Sequence, residues 1–144
     1  MSSVQAASIV PKKHLRHALL ALACVAAAVG VQAQSAMPQW KGEGAVRYVC
    51  GGIGSDESTA MRAAMKEHPL ALLFARSDGA YLTDVQVDIK GADGAPSLGL
   101  RASGPVCLVD LPAGRYTIDA AMAGSAKSQT VTVGGGSKTV DFRF

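Results

Sequence analysis

The sequence predicts a mainly β domain, a two-layer sandwich preceded by one short helix, and three observations predict it. From Val85 to Lys90 apolar and polar residues alternate strictly, Val85, Val87 and Ile89 against Gln86, Asp88 and Lys90. That two-residue period belongs to a half-buried strand. Glycine, proline and aspartate punctuate the second half at intervals of roughly 8–12 residues, the spacing of short strands joined by tight turns. One stretch alone, around Ala60, Met61, Ala64 and Met65, repeats with helical period.

Residues 1–33 read as a secretory signal peptide ahead of that domain. Lys12, Lys13, His14, Arg16 and His17 make a basic segment, Ala18 to Val31 an apolar run, and Val31-Gln32-Ala33 a small-residue cleavage site. Cleavage is expected after Ala33. The apolar run is shorter than the roughly 20 residues a spanning helix needs, so no stable membrane anchor is expected after cleavage. Cys24 lies within the run, and more apolar sequence follows it instead of the polar tether of a lipoprotein, which makes it an ordinary apolar residue of the signal. The full chain has a formal charge of +3, but Lys12, Lys13 and Arg16 leave with the signal. Eleven cations then face eleven Asp and Glu residues, a net charge of zero. A neutral chain with well-mixed charges lacks the basic stripe of a nucleic-acid binder and the one-sided charge that an anionic membrane attracts.

Residues 34–44 (QSAMPQWKGEG) are polar and aperiodic, a flexible lead-in whose single tryptophan, Trp40, is expected to fold back onto the domain edge. Ala45 to Cys50 reads as a strand with Val46, Tyr48 and Cys50 on one face and Arg47 and Val49 on the other. A GGIG turn leads into a helix over about residues 55–68. Ser55 is its N-cap candidate, and Asp56 and Glu57 complement the dipole of the first turn. Arg62, Lys66 and Glu67 face water, and Pro69 ends the helix. Leu70 to Arg76 (LALLFAR) is apolar almost throughout, a strand buried on both faces, and Ser77-Asp78-Gly79 turns the chain. After the alternating strand and its GADGAP turn come strands over 97–102, 106–111, 115–122, 129–133 and 139–144. They are separated by turns at Ser103-Gly104-Pro105, Pro112-Ala113-Gly114, Gly124 and Gly134-Gly135-Gly136. Val140, Phe142 and Phe144 fall on one side of the last strand.

Cys50 and Cys107 remain after cleavage, and in an oxidising compartment they read as one structural disulfide that a small core would use. A reactive thiol lacks support: there is no CxxC, and the one histidine beyond the signal is His68.

The stretch Leu111-Pro112-Ala113-Gly114-Arg115-Tyr116, with the Asp93-Gly94 turn upstream, resembles the turn between two strands of carboxypeptidase regulatory-like domains. The resemblance covers about residues 70–144, and the whole chain after the signal, including YVCGGIGSDE, the helix and GAYLTDV, is similar to small exported proteobacterial proteins with no assigned activity. It implies a transthyretin-like (prealbumin-like) sandwich in which Pro112, Gly114 and Tyr116 have structural roles. It implies no peptidase activity, because in carboxypeptidases the zinc and the catalytic residues belong to another domain.

Other constellations have simpler readings beside the chemical one. Gly51-Gly52-Ile53-Gly54 at a helix start suggests an anion cradle, but GxxxxGK[ST] is absent, and Asp56 and Glu57 would repel a phosphate. Met61, Met65 and His68 share a helical face, and two thioethers with an imidazole suit Cu(I). Equally, the methionines can fill space between helix and sheet while His68 caps the last turn. Asp84 and Asp88 read as a solvated strand edge rather than a catalytic pair, Asp78 and Asp93 as turn residues, and no GxSxG accompanies His68. The expected protein is an exported, non-enzymatic binding or accessory module in the periplasm or outside the cell. It needs no cofactor and takes a protein or glycan partner; the alternative is a periplasmic copper-binding protein using Met61, Met65 and His68.

Overall fold

The computed structural model describes residues 37–144. The signal peptide, its cleavage site and Cys24 lie outside the described residues. Among the described residues nine strands form two sheets: β1 (Lys41–Glu43), β2 (Val46–Gly51), β3 (Leu70–Ala75), β4 (Val85–Gly91), β5 (Leu98–Ala102), β6 (Val106–Asp110), β7 (Gly114–Met122), β8 (Ser125–Val133) and β9 (Lys138–Arg143). One helix, α1 (Ser55–Ala64), and a following 3-10 turn (Met65–Glu67) connect β2 to β3. The first sheet has the order β1-β2-β6-β3-β9 and the second β5-β4-β7-β8. All neighbours are antiparallel except β3 and β9, which run parallel from Leu70↔Lys138 to Ala75↔Arg143.

Alternation decides which side chains enter the sandwich. From the first sheet come Leu70, Leu72, Phe74, Val140 and Phe142; from the second come Val85, Val87, Ile89, Tyr116, Ile118 and Ala120. The Phe74 and Phe142 rings stack at 5.7 Å. The opposite face of the first sheet is covered as well: Val49, Ala71, Val106 and Leu108 bury Met61 of α1, with Trp40, Ala64 and Met65 packed around them. This explains the unbroken apolar run of β3, whose alternate residues face the sandwich and the helix.

Four details depart from the sequence reading. Residues 41–43 are an edge strand, paired from Lys41↔Tyr48 to Glu43↔Val46 through a turn at Gly44, whose φ is +63°. Gly at the first central position is what a two-residue II′ hairpin requires, so the lead-in ends in a strand. Gly54, not Ser55, is the N-cap of α1, with φ +85°, and no side chain caps the helix. The α-helix stops at Ala64, short of His68, which is already extended because Pro69 follows it. Finally, β8 starts at Ser125 rather than Gln129. Ala123 and Gly124 both have positive φ, so a two-residue turn lets pairing begin at Met122↔Ser125.

Candidate functional site

Two groups of side chains stand out on the outer side of the first sheet, at its opposite ends. The first gathers where β2 begins, β6 ends and β3 begins. Register places Arg47 opposite Asp110, and Leu70 opposite Val109, which brings His68 to the same corner. His68 Nδ1 lies 2.7 Å from Asp110 Oδ1, while Arg47 Nη2 donates to Asp110 Oδ2 at 2.8 Å. Trp40 closes the group, its ring 4.7 Å from the imidazole and 5.1 Å beneath the Arg47 guanidinium. Both carboxylate oxygens are thus used, and the Trp40 segment is pinned to the sheet. A carboxylate at Nδ1 is also how a general-base histidine is oriented. Both described cysteines are joined to each other, so neither is a thiolate for it.

The second group surrounds a concavity of about 160 Å³ where β3 and β9 end. Leu73, Ala75 and Pro105 line its apolar part, and Arg62 of α1, Tyr81 and Arg143 of β9 its polar part. Tyr81 reaches this place because the chain folds back after β3: Ala75 bridges Tyr81, and Leu82 N–H donates to the Phe74 carbonyl. Among the described residues its side chain is one of two large exposed apolar groups, 63% accessible. The Arg62 guanidinium lies 5.1 Å over the Tyr81 ring, with Nε 3.4 Å from Ser58 Oγ. Across the concavity Arg143 donates from Nε and Nη2 to the two oxygens of Asp141, each at 3.0 Å. That pairing raises the Arg143 pKa, chiefly through the Asp141 hydrogen bond.

The residues singled out from the sequence fall as follows. Cys50 and Cys107 are directly opposed on β2 and β6 and form a disulfide. Met61 is fully buried under the helix and Met65 packs on the same cluster, but His68 does not continue their stripe, because it lies beyond the helix and holds Asp110 instead of capping the last turn. In the GGIG turn, Gly52 N–H donates to Glu57 Oε1 at 2.8 Å, so a carboxylate of the chain itself occupies the anion-seeking amide. Asp78 accepts from Ala80 N–H at 3.0 Å, and Asp93 takes φ +53° in the turn closed by Ala95 N–H to the Ala92 carbonyl. Asp84, just before β4, pairs with Arg101 at 3.5 Å, and Asp88 is exposed on the strand. Gly114 opens β7, and the buried Tyr116 hydroxyl donates to the Pro112 carbonyl at 2.7 Å. Burial pushes the Tyr116 phenol pKa up.

The residues that sequence reasoning missed are Arg62, Tyr81 and Asp110. Arg62 looks like a solvated helix residue and Tyr81 like part of a loop, and only the fold-back after β3 brings them together. No family model matches this chain, and no curated protein matches it.

Proposed function

We propose that this chain is an exported, non-enzymatic binding or accessory module, a transthyretin-like sandwich whose contact surface is the Arg62–Tyr81–Arg143 concavity. The observation that carries the reading is Tyr81, an aromatic ring left 63% accessible at the rim of a hollow and held there under a guanidinium. Exposed, pre-oriented aromatics beside arginine supply contact area at low entropic cost, the composition favoured in interface centres. Export is supported by the signal-peptide layout of residues 1–33 and by a disulfide, a bond of oxidising compartments. The transthyretin-like assignment rests on Leu111-Pro112-Ala113-Gly114-Arg115-Tyr116 and on Tyr116 tied back to Pro112 across that turn.

The test begins with the full chain expressed in a bacterium and recovered from the periplasm. A mass that starts at Gln34 and is two hydrogens light supports export and the disulfide. Retention of residues 1–33 in the cytoplasm refutes export. The recovered protein, labelled with 15N, is then screened against defined peptides and oligosaccharides. Shifts centred on Tyr81 and lost in Tyr81→Ser support the contact surface; shifts confined to other surfaces refute it.

A further inference from the structure

We propose that the concavity is a site for an aliphatic carboxylate, with the Arg62 guanidinium as its anchor. This deepens, and rests on, the reading of that hollow as the contact surface. Arg62 is the odd cation of the fold. Among the described residues, the other cations without a carboxylate partner are Lys41, Lys66, Arg115, Lys127 and Lys138, and all of these are exposed. Arg62 is half-buried, yet its only polar contact is Ser58 Oγ at 3.4 Å, through Nε. The two terminal nitrogens of its fork therefore make no hydrogen bond within the described chain. Stacking on Tyr81 fixes the plane of the guanidinium, and a planar fork matches a carboxylate with two parallel bonds.

Charge and size narrow the ligand further. Arg62 and Arg143 against Asp141 leave the wall with one net positive charge, enough for a monoanion. A phosphate monoester would bring a second negative charge towards Asp141. The hollow of about 160 Å³ has room for a carboxylate on a short stem. Leu73, Ala75 and Pro105 offer apolar surface to that stem. Glutamate-like side chains and sugar acids share this chemistry.

The experiment is a 15N titration of the exported protein at constant ionic strength with butyrate, glucuronate, inorganic phosphate and uncharged butyramide. Butyrate or glucuronate is expected to move the Arg62 Nε–H, Tyr81 and Arg143 signals, and whichever binds tighter identifies a peptide-like or a sugar-acid source. Arg62→Gln is expected to weaken that binding about tenfold or more, with the β4–β7 amides unmoved as proof of an intact fold, and Arg62→Lys to recover only part of it. Phosphate binding more tightly than either carboxylate overturns the inference. So does butyramide binding as well as butyrate, an outcome that leaves the hollow as a contact surface while removing the charge pairing. Silence from all four probes at the concavity overturns the carboxylate site, and the peptide and oligosaccharide screen of Tyr81→Ser then decides the wider reading separately.

Discussion

Breaking the Cys50–Cys107 bond is expected to cost this domain about a third or more of an ordinary domain's stability, and the size of the loss follows from where the bond lies. The cysteines are 57 positions apart, and the cross-link denies the unfolded chain the conformations in which those positions separate. For a loop of that length the chain-entropy relation gives about 4 kcal/mol at 25 °C. Against total stabilities of roughly 5–15 kcal/mol this is large, and for a domain near 100 residues it corresponds to a fall in Tm of about 15–25 °C. The folded state has little reason to change on reduction, because β2 and β6 are already in register from Arg47↔Asp110 to Gly51↔Val106. Both sulfurs are buried, so reduced and oxidised proteins of unchanged sequence make the cleanest comparison. Urea unfolding followed by Trp40 emission gives the free energy, and it also gives the slope. Removing a constraint on the unfolded chain exposes more surface on unfolding, so m should rise as the midpoint falls. A loss below about 1 kcal/mol with m unchanged, in protein whose thiols are shown by mass to be reduced, would refute the unfolded-chain argument.

Four further outcomes are expected. Met61→Ala removes the side chain that seats α1 on Val49, Ala71, Val106 and Leu108 and should cost about 2–5 kcal/mol by urea unfolding, whereas Met61→Leu should cost less than about 1.5. Tyr116→Phe leaves the Pro112 carbonyl without its donor, a loss of about 1–3 kcal/mol at neutral pH. Because the folded phenol titrates above its unfolded value of 10.0, the wild type should also lose stability as pH rises above about 10, and Tyr116→Phe should flatten that fall in alkaline unfolding curves. Asp110→Ala strands His68 and Arg47 and should cost about 1–3 kcal/mol, with Trp40 emission shifting to the red as its segment loosens. Gly104→Ala places a Cβ against the Gly51 backbone carbonyl, which cannot swing aside as a side chain could, and a loss of about 1–3 kcal/mol is expected by thermal unfolding.

The elements legible in the sequence are those whose burial differs between faces. β4 alternates buried and exposed along its length, and the sequence alternates with it. β3 is buried on both faces and reads as an unbroken apolar run. β8 fails the same test because Ser125 to Thr130 are exposed on both faces; they are held as a strand by pairing with β7, which leaves no trace in their own chemistry. The edge strand β1 is exposed throughout and equally silent, apart from the Gly44 turn. Pro69 announced the end of the helix, but proline acts on the residue before it, and nothing in the sequence showed that the α-helix had already tightened into a 3-10 turn at Met65. The disulfide was half legible: cysteine count and compartment suggested a bond, while the register that sets Cys50 opposite Cys107 had to come from the fold. The candidate site was the least legible part. Arg62 and Tyr81 come from a helix and a loop, and His68 and Asp110 are 42 positions apart, so neither pair leaves a local spacing to read.

The two ends of the outer face also differ in what their charges are for. In the Trp40 group the charges answer one another: Asp110 uses one oxygen for Arg47 and the other for His68, and Trp40 covers both. Such a closed network holds the edge of the sheet together and asks for no ligand. At the Tyr81 end Arg143 is answered by Asp141, but no carboxylate among the described residues answers Arg62, although it is half-buried beside apolar surface. An arginine that finds no carboxylate adds little to the fold beyond its contacts with Tyr81 and Ser58, and an apolar side chain on the same helix position would pack against Leu73 and Pro105. If Arg62 served the fold, Arg62→Leu would destabilise it as Asp110→Ala does. If it serves a ligand, Arg62→Leu leaves the urea midpoint unchanged or raised while butyrate no longer moves the concavity, the trade of stability against function that marks a binding residue.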